Sequence, residues 1–304
     1  MRTVGIGGKQ MKADKYKVDG SKNVDIRRLP VNSNSDGVSR EEIERKYAAL
    51  KEDIVKLDDA FRADAREGLI FVVQALDASG KDSTIAHVFS GMNPQGVKVH
   101  YYKAPTQDEL AHDYLWRIHK DLPRKGEIAV LNRSHYEDLV TVDVEGIRKN
   151  YKMAERIADD SGSAFFKKRY QQVRGFEEYL YENSFRMVKI FLHVTKKEEA
   201  TQMLERLDVP DKSWKFRAED IEVLDKYDDY MKCFDKVINA TGTEHSPWYV
   251  LPGNQRWYTR YLFVEIIADQ LKKCKPKYPA VPHEEREEFP ACREALNKII
   301  ESEK

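Results

Sequence analysis

Five short apolar runs, each set off by a turn from a stretch with helical spacing, restrict this chain more than any other feature. Leu69–Ala75 (LIFVVQA) is almost wholly apolar, as a strand covered on both faces must be. Val97–Tyr102, Ile128–Leu131, Met187–Val194 and Trp248–Leu251 read as four further strands. Helical segments lie between and after them. One runs from about Lys81 to Ser90 and is closed by Gly91. Thr106 with Glu109 makes a capping box opening a helix to about Leu122, and Thr195 with Glu198 makes another. Ser163–Asn183 and Arg256–Lys273 complete the set. Strands separated by helices call for right-handed crossovers and a mainly parallel sheet, so the expectation is an α/β fold of three layers with five strands.

Around this alternation the chain changes character. Residues 1–38 read as an irregular extension, with Gly5, Gly7 and Gly8 early and the turn-rich NSNSDG at 32–37. Ser39 and Glu42 then cap a long helix whose stripe Ile43, Tyr47, Leu50, Ile54, Leu57 and Phe61 keeps helical spacing, with Gly68 as its stop. The core is expected over 39–275, with a helical lid around 205–220 and a C-terminal tail over 276–304 that contains a helix. The chain is 304 residues long, which accommodates one large domain or two smaller ones. Lysine plus arginine and aspartate plus glutamate both total 52, a balance that argues against a general nucleic-acid binder while leaving room for a local basic groove. Cys233, Cys274 and Cys292 form no CxxC pair, so neither a disulfide framework nor a cysteine zinc site is expected. With no signal-peptide pattern and no apolar run near the roughly 20 residues of a membrane span, the expected setting is cytoplasmic.

In a parallel sheet, ligands bind at the carboxyl ends of the strands. The first such turn is Ala75-Leu76-Asp77-Ala78-Ser79-Gly80-Lys81-Asp82-Ser83, between a strand and a helix. Backbone N–H groups and the positive helix end would meet an anion there, and Lys81 would reach its phosphates. A phosphate-binding loop would carry Gly at position 75 and Ser or Thr at position 82, where this chain has Ala75 and Asp82; an ordinary strand–turn–helix corner is the competing reading. Asp77 faces the same loop, and a carboxylate beside phosphates calls for a cation between them, which suggests magnesium. The second turn, Asn132-Arg133-Ser134-His135-Tyr136-Glu137-Asp138, offers a guanidinium fork for phosphate and, in Glu137, a second carboxylate for magnesium. The alternative is a polar loop with a structural ion pair. A third group, Arg169, Arg174, Arg206, Lys212, Lys215 and Arg217, recurs around the loop Asp208–Asp211. It reads as a solvated face or as a flap that closes over spread negative charge.

Together these stretches resemble the family-2 polyphosphate kinases. The resemblance is carried by FVVQALDASGKDST (71–84), GMNPQGVKV (91–99), HDYLWR (112–117), NRSHYED (132–138), KIFLHVTKK (189–197), WKF (214–216) and SPW (246–248), and it spans about 40–275. It implies a P-loop kinase core with a helical lid, moving the terminal phosphate of inorganic polyphosphate to a purine nucleotide with magnesium, or manganese in its place. Asp77 and Glu137 would hold the metal. Ala78, Ser79, Gly80, Lys81, Asp82, Ser83, Asn132, Arg133, Arg169 and Lys215 would contact phosphate, and Asp77, Lys81, Arg133, Glu137 and Arg206 would act in the reaction. The pairing of Asn132 with Glu137 resembles the class III branch, which accepts both nucleoside monophosphates and diphosphates. A homodimer or homotetramer, without nucleic-acid or membrane partners, is also implied by the resemblance. Three other readings compete: a diphosphate-preferring polyphosphate kinase, a conventional ATP-dependent nucleotide kinase, and a non-catalytic polyanion-binding scaffold.

Overall fold

The computed structural model describes residues 11–214 and 216–303, apart from the side chains of Asn150 and Lys212. Its centre is a single sheet of strands β1 (Lys17–Val18), β2 (Gly68–Gln74), β3 (Val97–Tyr101), β4 (Ile128–Asn132), β5 (Phe185–His193) and β6 (Trp248–Pro252). Their spatial order is β1-β6-β5-β2-β4-β3, parallel throughout except for β1. The sequence predicts the five parallel strands, but the sheet has six. The additional one, within the stretch read as irregular, is a two-residue antiparallel strip on Trp248 and Tyr249, too short to leave a hydrophobic pattern.

Helices of eight residues or more are α1 (Arg40–Asp64), α2 (Lys81–Val88), α3 (Gly162–Glu182), α4 (Lys196–Asp208), α5 (Tyr227–Thr241), α6 (Arg256–Lys273) and α7 (His283–Ser302). Side chains alternate across the strands and so divide the core in two. Leu69, Phe71 and Val73 of β2 pack with Ile54 and Phe61 of α1, Ile85 of α2 and the buried face of α6. Ile70 and Val72 face the other way, onto Val173 and Leu180 of α3 and Phe234 and Val237 of α5. The three-layer α/β expectation therefore holds.

Two predicted helix ends move, each for a local reason. The first helix ends at Asp64, where Ala65 takes a left-handed φ of 47° and its N–H returns to the Phe61 carbonyl. Gly68 is not its stop but the first residue of β2. The Thr106–Glu109 capping box forms in both directions, yet its helix covers only Gln107–Ala111. Asp113 then accepts the Leu115 N–H at 2.9 Å, a side-chain turn that competes with helix continuation, and a separate turn follows at Trp116–Lys120. In the region expected as a lid, α4 is followed by short helices at Pro210–Ser213 and Glu219–Asp225.

Candidate active site

The register brings the two key turns level. Val73 of β2 lies beside Asn132 of β4, and the Arg133 N–H donates to the Val73 carbonyl at 3.1 Å. After β2 the chain enters α2 on the α1/α6 face, and after β4 it runs through Tyr136, Leu139 and Val140 on the α3/α5 face. Neighbouring strands that leave in opposite directions open a crevice at their carboxyl ends, the usual ligand position in an open α/β sheet. A cavity of about 340 Å³ occupies it, with Asp77, Arg133 and Glu137 together on its lining beside apolar Val140, Val223 and Phe234.

The first turn wraps on itself. Ala78 and Gly80 take left-handed φ values of 59° and 79°, and Gly80 leads directly into α2. Lys81, 7% exposed, curls back so that Nζ donates to the carbonyls of Ala75 and Leu76 at 2.8 Å each. An ammonium has three protons, so one remains for a ligand. Burial and then Arg133 lower the Lys81 pKa, opposed by Asp77, Glu137 and Glu199. The Asp77 carboxyl is held below the ordinary range: burial would raise it, but Lys81 and Arg133 prevail.

Arg133 joins the two turns. Its Nη2 pairs with Asp77 Oδ1, its φ is 64°, and its Nε is buried without a hydrogen-bond partner among the described residues. Burial pulls its pKa down, but Glu137 and Asp77 together hold it above the usual guanidinium value. Glu137 is fixed from two sides. Its Oε2 accepts the Thr141 hydroxyl at 2.6 Å, and its Oε1 accepts the Gln74 amide at 3.0 Å in the orientation that satisfies both ends of that amide. Asn132 Nδ2 donates to Asp82 Oδ1 at 2.8 Å, tying the second turn to the first turn of α2. The second turn is also anchored from behind: the Tyr136 hydroxyl donates to Glu177 Oε1 at 2.7 Å, and Glu177 pairs with fully buried Lys189 at 2.6 Å.

The remaining predicted residues divide. Ser83 donates to the Gly80 carbonyl at 3.1 Å, inside the first turn. The charge of Arg206 helps hold Asp77 ionised, and its Nη1 lies 3.6 Å from Asp220. Arg169 stands apart from the loop contacts: its guanidinium lies over the Tyr114 ring at 3.9 Å and bonds Gln172 at 3.1 Å. Lys215 lies outside the described residues. Sequence reasoning missed Glu199, which is 2% exposed and accepts the Ser79 hydroxyl, and whose pKa burial pushes up to about 8. It also missed Arg256, whose Nε would lie 3.7 Å from a side-chain carbon placed at Gly80. The available signal was the spacing Glu199, Gln202, Arg206, which puts three polar groups on one face of a helix.

The residues suit a magnesium ion completed by its substrate. Among the described residues no three His, Cys, Asp or Glu side chains cluster closely enough to cage a metal. Magnesium commonly takes one or two carboxylates and finishes its octahedron with phosphates and water, which is what Asp77 and Glu137 on either side of Arg133 can supply.

Comparison with known proteins identifies the family. The family model described as Polyphosphate kinase 2 (PPK2) matches residues 37–279. An ADP-polyphosphate phosphotransferase of Rhodopseudomonas palustris is 35% identical over 291 residues, 95% of this chain and 100% of that protein. An AMP/ADP-polyphosphate phosphotransferase of Meiothermus ruber is 40% identical over 232 residues, covering 76% of this chain and 82% of its own. The crystal structure of Polyphosphate Kinase 2 from Arthrobacter aurescens superposes with a TM-score of 0.84 at 27% identity, over 96% of this chain and 100% of that one. The chain belongs to the polyphosphate kinase 2 family.

Proposed function

We propose that this chain transfers the terminal phosphoryl group of inorganic polyphosphate to AMP and to ADP. The observation that carries phosphoryl transfer is the meeting of the Ala75–Lys81 turn and the Arg133–Glu137 turn at one switch point, with Arg133 bridging them. Family membership supports polyphosphate as the donor over ATP. Use of both acceptors is supported by the name of the Meiothermus relative and by the pairing of Asn132 with Glu137.

The placement of each residue supports a part in that transfer. The remaining proton of Lys81 and the buried Nε of Arg133 would supply two donors to the transferring phosphoryl group, where desolvation would strengthen them. The first turn contributes backbone N–H groups and the start of α2 to the neighbouring phosphate. Arg206, at the end of α4 and within the segment around 205–220 expected as a lid, would add positive charge and, on closure, exclude water from the transfer. Asp77 and Glu137 would hold magnesium, which supplies neutralisation of the phosphate oxygens; manganese, with the same preference for oxygen ligands, would fit as well. Asp77 remains ionised at neutral pH, so its carboxylate is available to the metal or to an acceptor proton.

The test is ATP or ADP formation by the purified protein with polyphosphate and magnesium, AMP and ADP being offered separately and Lys81→Ala serving as the blank. Product from both acceptors, reduced at least 10²-fold in the variant, is the expected result. Product from ADP alone would remove AMP from the proposal. Transfer only from ATP would overturn the choice of donor.

A further inference from the structure

Glu199 carries a buried carboxyl group to which the proposed reaction assigns no part. It sits one turn into α4, with Gln202 and Arg206 at the next two positions on the same face. Glu199 accepts the hydroxyl of Ser79, and Gln202 Oε1 would lie 3.7 Å from a side-chain carbon at Gly80. The first turn of α4 is itself fixed: the Thr195 N–H donates to Asn254 Oδ1 at 3.1 Å, and Asn254 Nδ2 returns to the Thr195 hydroxyl at 3.2 Å. Ser79 stands between Ala78 and Gly80, the two left-handed residues of the turn. A left-handed alanine is strained and persists only where its surroundings over-determine it. The Glu199 contact takes hold of the turn at the residue that joins the two.

We propose that Glu199 is a positioning residue, tying α4 and its Arg206 to the Ala75–Lys81 turn through Ser79 so that both are set together before substrate arrives. It touches no reacting atom and acts through the backbone shape of the turn and the placement of Arg206. Glutamine keeps an oxygen that accepts the Ser79 hydroxyl, so it preserves the tie; alanine at either position removes it.

Two readouts test this, one resting on the phosphotransfer reading above and one independent of it. In the ligand-free protein, amide hydrogen exchange at residues 78–81 should quicken about tenfold in Glu199→Ala and in Ser79→Ala, and stay unchanged in Glu199→Gln, as expected for loss of one hydrogen bond. With polyphosphate and nucleotide, each alanine variant should lower kcat about tenfold with KM changed less than about twofold. The double variant should be no worse than either single one, because both remove the same tie. Exchange that is unchanged in both alanine variants, or a double variant whose loss is the product of the two single losses, would overturn the inference. A wild-type protein inactive with polyphosphate and every acceptor would sink the functional reading, while the exchange experiment would still decide the role of Glu199.

Discussion

At position 133 an arginine adopts a backbone conformation that favours glycine, and this aims its side chain at Asp77 instead of along the strand. Four residues on, Glu137 is held by hydrogen bonds from Gln74 and Thr141, one to each carboxylate oxygen. If its charge places a metal or its waters for the shorter acceptor, Glu137→Asn should lower AMP phosphorylation at least tenfold while changing ADP phosphorylation less than threefold, measured as kcat/KM for each. Glu199 allows a pH prediction. The folded protein keeps the carboxyl protonated to about pH 8, whereas the ordinary value is 4.5. Its contribution is therefore complete below about pH 4.5 and is lost as pH rises towards 8, because the unfolded chain has already released that proton. Glu199→Gln removes this slope. Urea midpoints of the wild type should fall relative to the variant between about pH 5 and 8 and run parallel above that.

Secondary structure was legible wherever a cap and a period coincided. Ser39, Thr106 and Thr195 each accept the backbone N–H of the third residue onward, and the strand–turn–helix at 68–88 follows the apolar run that precedes it. What could not be read depends on partners distant in sequence. Nothing near Ser79 announces a carboxyl group 120 residues away, and nothing near Arg169 announces the Tyr114 ring that holds it. The break after Ala111 lay in a single aspartate that competes with the helix. The pair Glu177–Lys189 shows how such distant contacts bear on the site, since it ties α3 to β5 and steadies Tyr136 behind the second turn. Burial raises the Glu177 pKa and lowers that of Lys189, so each charge depends on the other. Lys189→Ala should cost about 3–5 kcal/mol in denaturant unfolding, because it leaves a buried carboxylate uncompensated.

Across the whole molecule, residues 11–38 are tied to the sheet. Besides the β1–β6 pairing, Asp36 accepts hydroxyls from Tyr16 and Tyr258, and Ser33 bonds Gln255 at 2.7 Å. The family match begins at residue 37, so a protein trimmed to that boundary would lose β1 and uncover the edge of β6. Unpaired edges recruit other strands. Such a truncation should aggregate at concentrations where the full chain does not, as size-exclusion chromatography with light scattering would show. Among the described residues no helix is long and apolar enough to cross a membrane. At the other end, α7 is solvent-exposed along its length and carries Cys292, while Cys233 and Cys274 are buried, with thiols that burial pushes up to about 12. A maleimide at neutral pH will therefore find one thiol, on a helix remote in sequence from both turns of the site. A fluorophore, or the surface of a bead, can be attached there without altering the native sequence.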